Sequence, residues 1–174
     1  MWRGHSIFKA QADQRFDPGD TVFRAGTEVT RVFLVRSGVT ALVRPLPSGE
    51  QAVLQRASTG QVVAEASVYA QRYHCDCVAL EPTTLAYMPR RAFLDALRSD
   101  VTLAESWAAS LANSVQNARM LAEIRSLKTI AERLDAWIAE YGPLPEKGQW
   151  QYVANELSVS REAFYRELAR RRSQ

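Results

Sequence analysis

The residues best suited to chemistry lie near the C-terminus, in the run Ser160-Arg161-Glu162-Ala163-Phe164-Tyr165-Arg166. Ser160 is a good helix N-cap, because its hydroxyl can accept from a backbone N–H that a helix leaves unpaired at its start. Phe164 and Leu168 are four residues apart and would share one buried face of the helix that follows. That turns Arg161, Glu162, Tyr165 and Arg166 outward near its N-terminal end. An outward Arg can bond guanine O6 and N7 with two N–H groups, and Glu can accept from cytosine N4. The chemistry implied is the reading of base edges in the major groove of duplex DNA. Arg170, Arg171 and Arg172 would add phosphate contacts, which give affinity without sequence information. From Ser160 onward five basic residues face two acidic ones, a surplus equal to the +3 of the whole chain. A basic tail on a neutral body suits a polyanion partner, although cations also favour a helix C-terminus through its dipole.

A second constellation is Tyr73-His74-Cys75-Asp76-Cys77. On a strand, Cys75 and Cys77 would face one side, with His74 and Asp76 on the other. Two thiolates on one face could take a soft ion such as copper(I), form a redox pair or offer a haem ligand. His74, Cys75 and Cys77 are therefore candidate metal or redox residues, with copper or haem as candidate cofactors. The favoured reading is simpler: free Cys commonly fills a core as a small hydrophobe.

The elements that must position these residues change character halfway along. Phe16 to Leu85 is cut at short intervals by turn residues: Asp17-Pro18-Gly19-Asp20, Ala25-Gly26, Ser37-Gly38, Pro47-Ser48-Gly49 and Thr59-Gly60. Between them lie apolar runs such as Val32–Val35, Val39–Val43, Ala52–Leu54 and Cys77–Leu80. Short strands with glycine turns predict a β-sandwich, barrel or jelly roll. Pro89 then opens a short helix, since proline suits a first helical turn. From Val101 to about Arg125 there is no Gly or Pro. Leu103, Trp107, Leu111, Ala118 and Leu121 recur there at helical steps, which predicts a long amphipathic helix. Such a helix would have more apolar stripe than one small domain covers, so these five residues are expected to form a dimer interface. A further helix is expected from about Leu127 to Tyr141, ended by Gly142 and Pro143. Trp150 to Leu157 then reads as a short helix, Leu157-Ser158-Val159-Ser160 as a turn, and Arg161 to about Arg172 as the reading helix. This is the order of a helix-turn-helix.

Composition narrows the class. An apolar fraction of 47% in 174 residues supports a packed core. No apolar stretch approaches the ~20 residues of a membrane span. Met1 to Phe16 has no apolar run of the secretory kind, and two cysteines are too few for a disulfide scaffold. A cytoplasmic protein with no membrane partner is expected. A cupin-type enzyme would need clustered His and carboxylate ligands, yet the chain has only His5 and His74. An enzyme is not expected.

Two regions together resemble the Crp/Fnr superfamily of bacterial transcription regulators. One is Phe16-x-x-Gly19, Phe23-x-x-Gly26 and Val32-Phe33-Leu34-Val35-x-x-Gly38, followed by Gly49 and Gly60; the other is Ser160 to Arg166. The resemblance spans nearly the whole chain. It implies a cyclic-nucleotide-binding-like β-roll, a dimerisation helix and a C-terminal helix-turn-helix. It also implies that Arg161, Glu162 and Arg166 read a half-site of TGTGA type. The chain departs from the family at Val63-Ala64-Glu65-Ala66-Ser67, where Ala64 replaces a glycine, and near His74-Cys75, where an Arg-Ser pair would hold a cyclic phosphate. Without that guanidinium, cyclic AMP is not expected. Without clustered N-terminal cysteines, an iron–sulfur centre is not expected either. The sequence ends at Gln174, just past the reading helix, so the family's β-wing is not expected.

The expected architecture is α+β. A β-roll of jelly-roll type (a double-stranded β-helix) fills residues 1–99, the dimerisation helix 100–126, and the helix-turn-helix domain 127–174. The expected function is sequence-specific binding of double-stranded DNA by a homodimer. Ser160, Arg161, Glu162, Tyr165, Arg166 and Arg170 would form the DNA-binding set. The alternative is a ligand- or metal-sensing or protein-interaction module without sequence-specific DNA binding.

Overall fold

The computed structural model describes residues 5–45 and 51–172. The chain divides into two compact units, Met1–Ser114 and Val115–Gln174. Gly49, one of the expected turn glycines, lies outside the described residues.

The first unit starts with a short helix α1 (His5–Phe8). Strands β1 (Asp13–Phe16), β2 (Thr21–Phe23), β3 (Arg31–Ser37), β4 (Val39–Pro45) and β5 (Gln51–Ser58) follow. Then come β6 (Val62–Val63), β7 (Asp76–Ala79) and β8 (Thr83–Pro89). They form two four-stranded antiparallel sheets, ordered β1-β8-β3-β6 and β2-β7-β4-β5. This is the jelly-roll architecture expected. β8, the strand that joins β1 to β3, was not among the runs read from sequence, nor were β1, β2 and β6.

The continuous apolar run of β3 has a direct cause, because both of its faces are covered. Phe33 and Val35 point between the sheets, with Phe16, Phe23, Leu42, Tyr73, Cys77 and Leu85. Val32 and Leu34 point the other way, to a core that they share with Phe8, Met88 and the helices that follow. β3 passes into β4, in the other sheet, through Gly38 alone. Gly38 has φ +85°, and a Cβ there would lie 2.5 Å from Thr83 Oγ1 and 2.6 Å from the Pro82 carbonyl oxygen. Only glycine combines that backbone with that contact.

Helix α2 (Arg90–Ser99) lays Phe93 and Leu97 on the outer face of the first sheet. Helix α3 (Val101–Ser126) begins in the first unit and ends in the second. Asp100 caps its start, with Oδ1 accepting from Leu103 N at 3.0 Å. Leu103 and Trp107, expected at a dimer seam, are instead core residues of the roll. They are 4% and 2% exposed, and Trp107 meets Phe93 edge-on at 5.1 Å. Leu111 packs at the margin of the same core. The sheet's own outer face covers the start of the stripe, which sequence periodicity had assigned to a partner.

The second unit holds the end of α3 with α4 (Ile130–Tyr141), α5 (Trp150–Glu156) and α6 (Arg161–Arg172). Helix α4 begins at Ile130 rather than near Leu127, because Thr129 and Glu132 form a capping box. Thr129 Oγ1 accepts from Glu132 N at 3.1 Å, and Glu132 Oε2 accepts from Thr129 N at 2.9 Å. One core unites the four helices: Ile124, Leu134, Trp137, Val153, Ala154, Leu157, Phe164 and Leu168, with Leu121 partly buried against it.

Candidate nucleic-acid interface

The α5–turn–α6 pair is set by few residues. Ala154 is fully buried where the helices meet. The turn Leu157-Ser158-Val159-Ser160 bends through Ser158, which has φ +54°. Val159 N donates back to Ala154 O at 3.0 Å. Ser160 starts α6 as expected, its Oγ accepting from Ala163 N at 3.2 Å. Two cations satisfy carbonyls at the end of α5. Arg125 Nε donates to Glu156 O at 2.7 Å, and Arg133 Nη1 donates to Leu157 O at 3.2 Å. Positive charge at a helix C-terminus is favourable there. Trp137 Nε1 donates to Glu156 Oε2 at 3.0 Å and closes the same corner.

With Phe164 and Leu168 inside, Arg161, Glu162 and Arg166 are exposed on α6 and Tyr165 is half-buried. Among the described residues, Arg161 and Arg166 have no ion-pair partner. Arg161 lies over the Tyr165 ring at 5.5 Å.

The last turn of α6 is less free than its sequence implies. Arg170 donates to both Glu167 carboxylate oxygens, at 2.9 and 2.8 Å. Arg171 donates to Glu167 at 2.7 Å, to Asp135 Oδ1 at 2.6 Å and to Ala131 O at 2.9 Å, fastening α6 to α4. Hydrogen bonds from Arg170 and Arg171 pull the Glu167 carboxyl down to about 2. Arg171 is therefore a structural tie, and Arg170, though exposed, is already engaged. Arg172 stands over the Trp150 ring at 5.3 Å.

Along α3, Leu103 and Trp107 are buried within the roll and Leu121 is half-buried in the helical unit, whereas Ala118 is exposed. Other apolar side chains of α3 remain at the surface, Val101, Ala109 and Ala112 among them. Ala104, Ala108, Leu111, Val115, Ala118 and Ala122 recur at alternating steps of four and three, all half-buried or exposed, with Val115 at 49%. Of these six, Leu111 and Ala118 were expected from sequence at the dimer seam.

The second constellation is dispersed by the fold. Cys75 and Cys77 are free and buried in the inter-sheet core. Burial pushes the Cys77 thiol up to about 12 and raises that of Cys75. Asp76 Oδ1 accepts from Ala25 N at 2.7 Å, so it latches a turn, and His74 is exposed. Among the described residues no group of three or more His, Cys, Asp or Glu is placed to hold a metal ion.

At the position where a cyclic nucleotide would be expected, a 3-10 turn (Glu65–Tyr69) follows Ala64, which has φ +53°. That backbone accounts for the glycine the family pattern has at this position. Glu65 is 7% exposed, and Gln55 Nε2 donates to both its oxygens, at 3.0 and 2.8 Å. Tyr73 stacks on Phe23 with ring centroids 3.6 Å apart and donates its hydroxyl to Arg31 O at 3.1 Å. Residues 73–75 thus supply a core aromatic, an exposed His and a buried thiol, and no guanidinium. Residues 73–75 do not themselves supply the charge-assisted contact a cyclic phosphodiester needs, and the guanidiniums beside them, Arg72 and Arg44, donate to the Gly26 and His74 carbonyl oxygens. The same turn reaches α3, where Trp107 Nε1 donates to the Tyr69 hydroxyl at 3.1 Å.

Residues 13–100 match the family described as cyclic nucleotide-binding domain, and the chain belongs to that family. No curated protein sequence matches it significantly. Similar solved structures include FixK2 from Bradyrhizobium japonicum, with TM-score 0.81 and 17% identity over 95% of this chain and 86% of that one. A CRP-family transcriptional regulator from Thermus thermophilus has TM-score 0.72 and 18% identity over 92% and 84%. The c-di-GMP-responsive global regulator CLP of Xanthomonas campestris has TM-score 0.73 and 17% identity over 97% and 90%. The fold is that of Crp/Fnr-type transcription regulators, and these neighbours are not enzymes. Among the described residues no helix is long and apolar enough to cross a membrane.

Proposed function

We propose that this chain is a sequence-specific DNA-binding transcription regulator that acts as a homodimer, with α6 in the major groove. The observation that carries this reading is the contrast along α6. Arg161 and Arg166, toward its N-terminal end, are exposed and make no ion pair among the described residues, while Arg170 and Arg171, toward the other end, are taken up by Glu167 and Asp135. Cations kept free at the reading end of a rigid helix suit bidentate recognition of guanine.

The line Ala104, Ala108, Leu111, Val115, Ala118 and Ala122 supplies the dimer seam. Small side chains at a 3.5-residue period let two helices approach closely. Two reading helices would then enter successive major grooves ~34 Å apart. The β-roll acts on α3 through the Tyr69–Trp107 hydrogen bond, biasing a population of helix-pair arrangements. Cyclic AMP is not the effector proposed, because Glu65 is closed by Gln55 and no guanidinium comes from residues 73–75.

The test is equilibrium binding to duplex DNA at several salt concentrations, with sedimentation of the free and bound protein. The reading predicts a dimer on one duplex and log K falling linearly with log salt, with a slope set by the number of phosphates contacted. Salt-independent retention, or binding as a monomer, would contradict it.

A further inference from the structure

Four side chains of the helix-turn-helix form a ladder that the base-reading role of Arg161 does not by itself require. The Arg161 guanidinium lies over the Tyr165 ring at 5.5 Å, Tyr165 meets Trp150 at 5.7 Å between centroids, and Arg172 lies over Trp150 at 5.3 Å. Trp150 is fixed by its own hydrogen bond, Nε1 donating to Pro145 O at 2.9 Å. Two cations therefore cap a pair of contacting aromatic rings, one of them anchored to the backbone.

The geometry follows from helix direction. A helical side chain leans toward the N-terminus and covers the turn before its own Cα. Tyr165, four residues after Arg161, thus places its ring on the turn that Arg161 opens. Among the described residues Arg161 has no acid to hold it, so the negative face of the Tyr165 ring is what restrains its side chain. A restrained guanidinium loses less freedom when it meets a base edge, which favours bidentate bonding over looser contacts.

We propose that Tyr165 is a positioning residue for specificity, holding Arg161 in the orientation that reads its base pair. This rests on α6 being the reading helix. Its effect is local to one base pair, because the ring carries no charge to neutralise phosphate and, among the described residues, the guanidinium that lies over it is that of Arg161 and not of Arg166.

The experiment measures base preference by competition among duplexes carrying single base-pair changes, for the intact protein and for Tyr165→Phe and Tyr165→Leu. The base pairs read by Arg161 and Arg166 are first located with Arg161→Ala and Arg166→Ala. The proposal predicts that Tyr165→Phe retains wild-type preference. Tyr165→Leu loses about 2- to 5-fold discrimination at the Arg161 pair only, with the salt slope unchanged. Full discrimination in Tyr165→Leu, an equal loss at every position, or Tyr165→Phe behaving like Tyr165→Leu would each overturn it. A second measurement needs no DNA. In NMR spectra the Arg161 side-chain protons should lie upfield of their random-coil positions, shifted by the Tyr165 ring. Random-coil positions would overturn the proposal, whatever the DNA result. Failure of the wild-type protein to prefer any duplex, with the upfield shift present, would instead overturn the DNA-reading function and leave the clamp itself in place.

Discussion

Arg166→Ala and Arg171→Ala, made separately, should divide reading from scaffolding on a single helix. The two residues share their chemistry and lie five positions apart. Arg166 is exposed and makes no ion pair among the described residues, so its loss should leave stability within about 0.5 kcal/mol. As a base-reading Arg it should cost about 1–3 kcal/mol of DNA affinity and relax preference at one base pair. Arg171 keeps 27% of its side-chain surface and bonds Glu167, Asp135 and Ala131 O. The Asp135 bond is discounted because that carboxylate is 67% exposed. Loss of the remaining charge-assisted bonds should destabilise the helical unit by about 1–2 kcal/mol. Its effect on DNA binding should be uniform across sequences, since the whole reading helix loosens. The assays are thermal unfolding and competition against duplexes with single base-pair changes. Selective loss of one base preference in Arg171→Ala with stability intact, or destabilisation without altered preference in Arg166→Ala, would refute the assignment of roles on α6.

Three further outcomes follow from the same structure. Glu167 has its carboxyl lowered to about 2, below its unfolded value. The stability it contributes is present above about pH 4.5 and lost as pH falls toward 2; acid unfolding profiles should show that loss, and Glu167→Gln should flatten it. The Cys77 thiol is raised to about 12 and that of Cys75 is raised as well. Their contribution is complete below the unfolded thiol value, about 8.5, and is lost as pH rises through the folded values; native protein at pH 8 should therefore react slowly with a thiol reagent, and unfolded protein should expose two fast thiols. On α3, Leu103→Ala should destabilise the β-roll by about 2–5 kcal/mol, whereas Val115→Asp should abolish the dimer in sedimentation while leaving the folded monomer intact.

Much of this organisation could be read from residue order, and the misreadings share physical causes. Helix α6 was legible because Ser160, Phe164, Leu168 and the outward arginines obey one period and one capping rule. The strands around Gly38 were legible because turn chemistry cuts the chain at short intervals. β8 was obscure because the turn-cut stretch was taken to end at Leu85 and Pro89 to open a helix, which divides the strand Thr83–Pro89 between two elements. Leu103 and Trp107 were assigned to a partner because periodicity reports an apolar face but not what covers it. Arg171 was read as a phosphate contact because its acids, Glu167 and Asp135, lie on two different helices, a tertiary fact that sequence spacing does not contain. The Cys75 and Cys77 pair shows the converse: spacing alone allowed a soft-metal face, while the fold sets both thiols among Phe23, Phe33 and Tyr73.

The central claim, a homodimer reading DNA through Arg161, Glu162 and Arg166, is tested most directly by selecting bound sequences from a random duplex pool with purified protein at near-physiological salt. The account predicts an inverted repeat with TGTGA-like half-sites, their centres one helical turn apart, and loss of the enriched positions in Arg161→Ala and Arg166→Ala. Enrichment of no motif, or of one unaffected by either substitution, would contradict it.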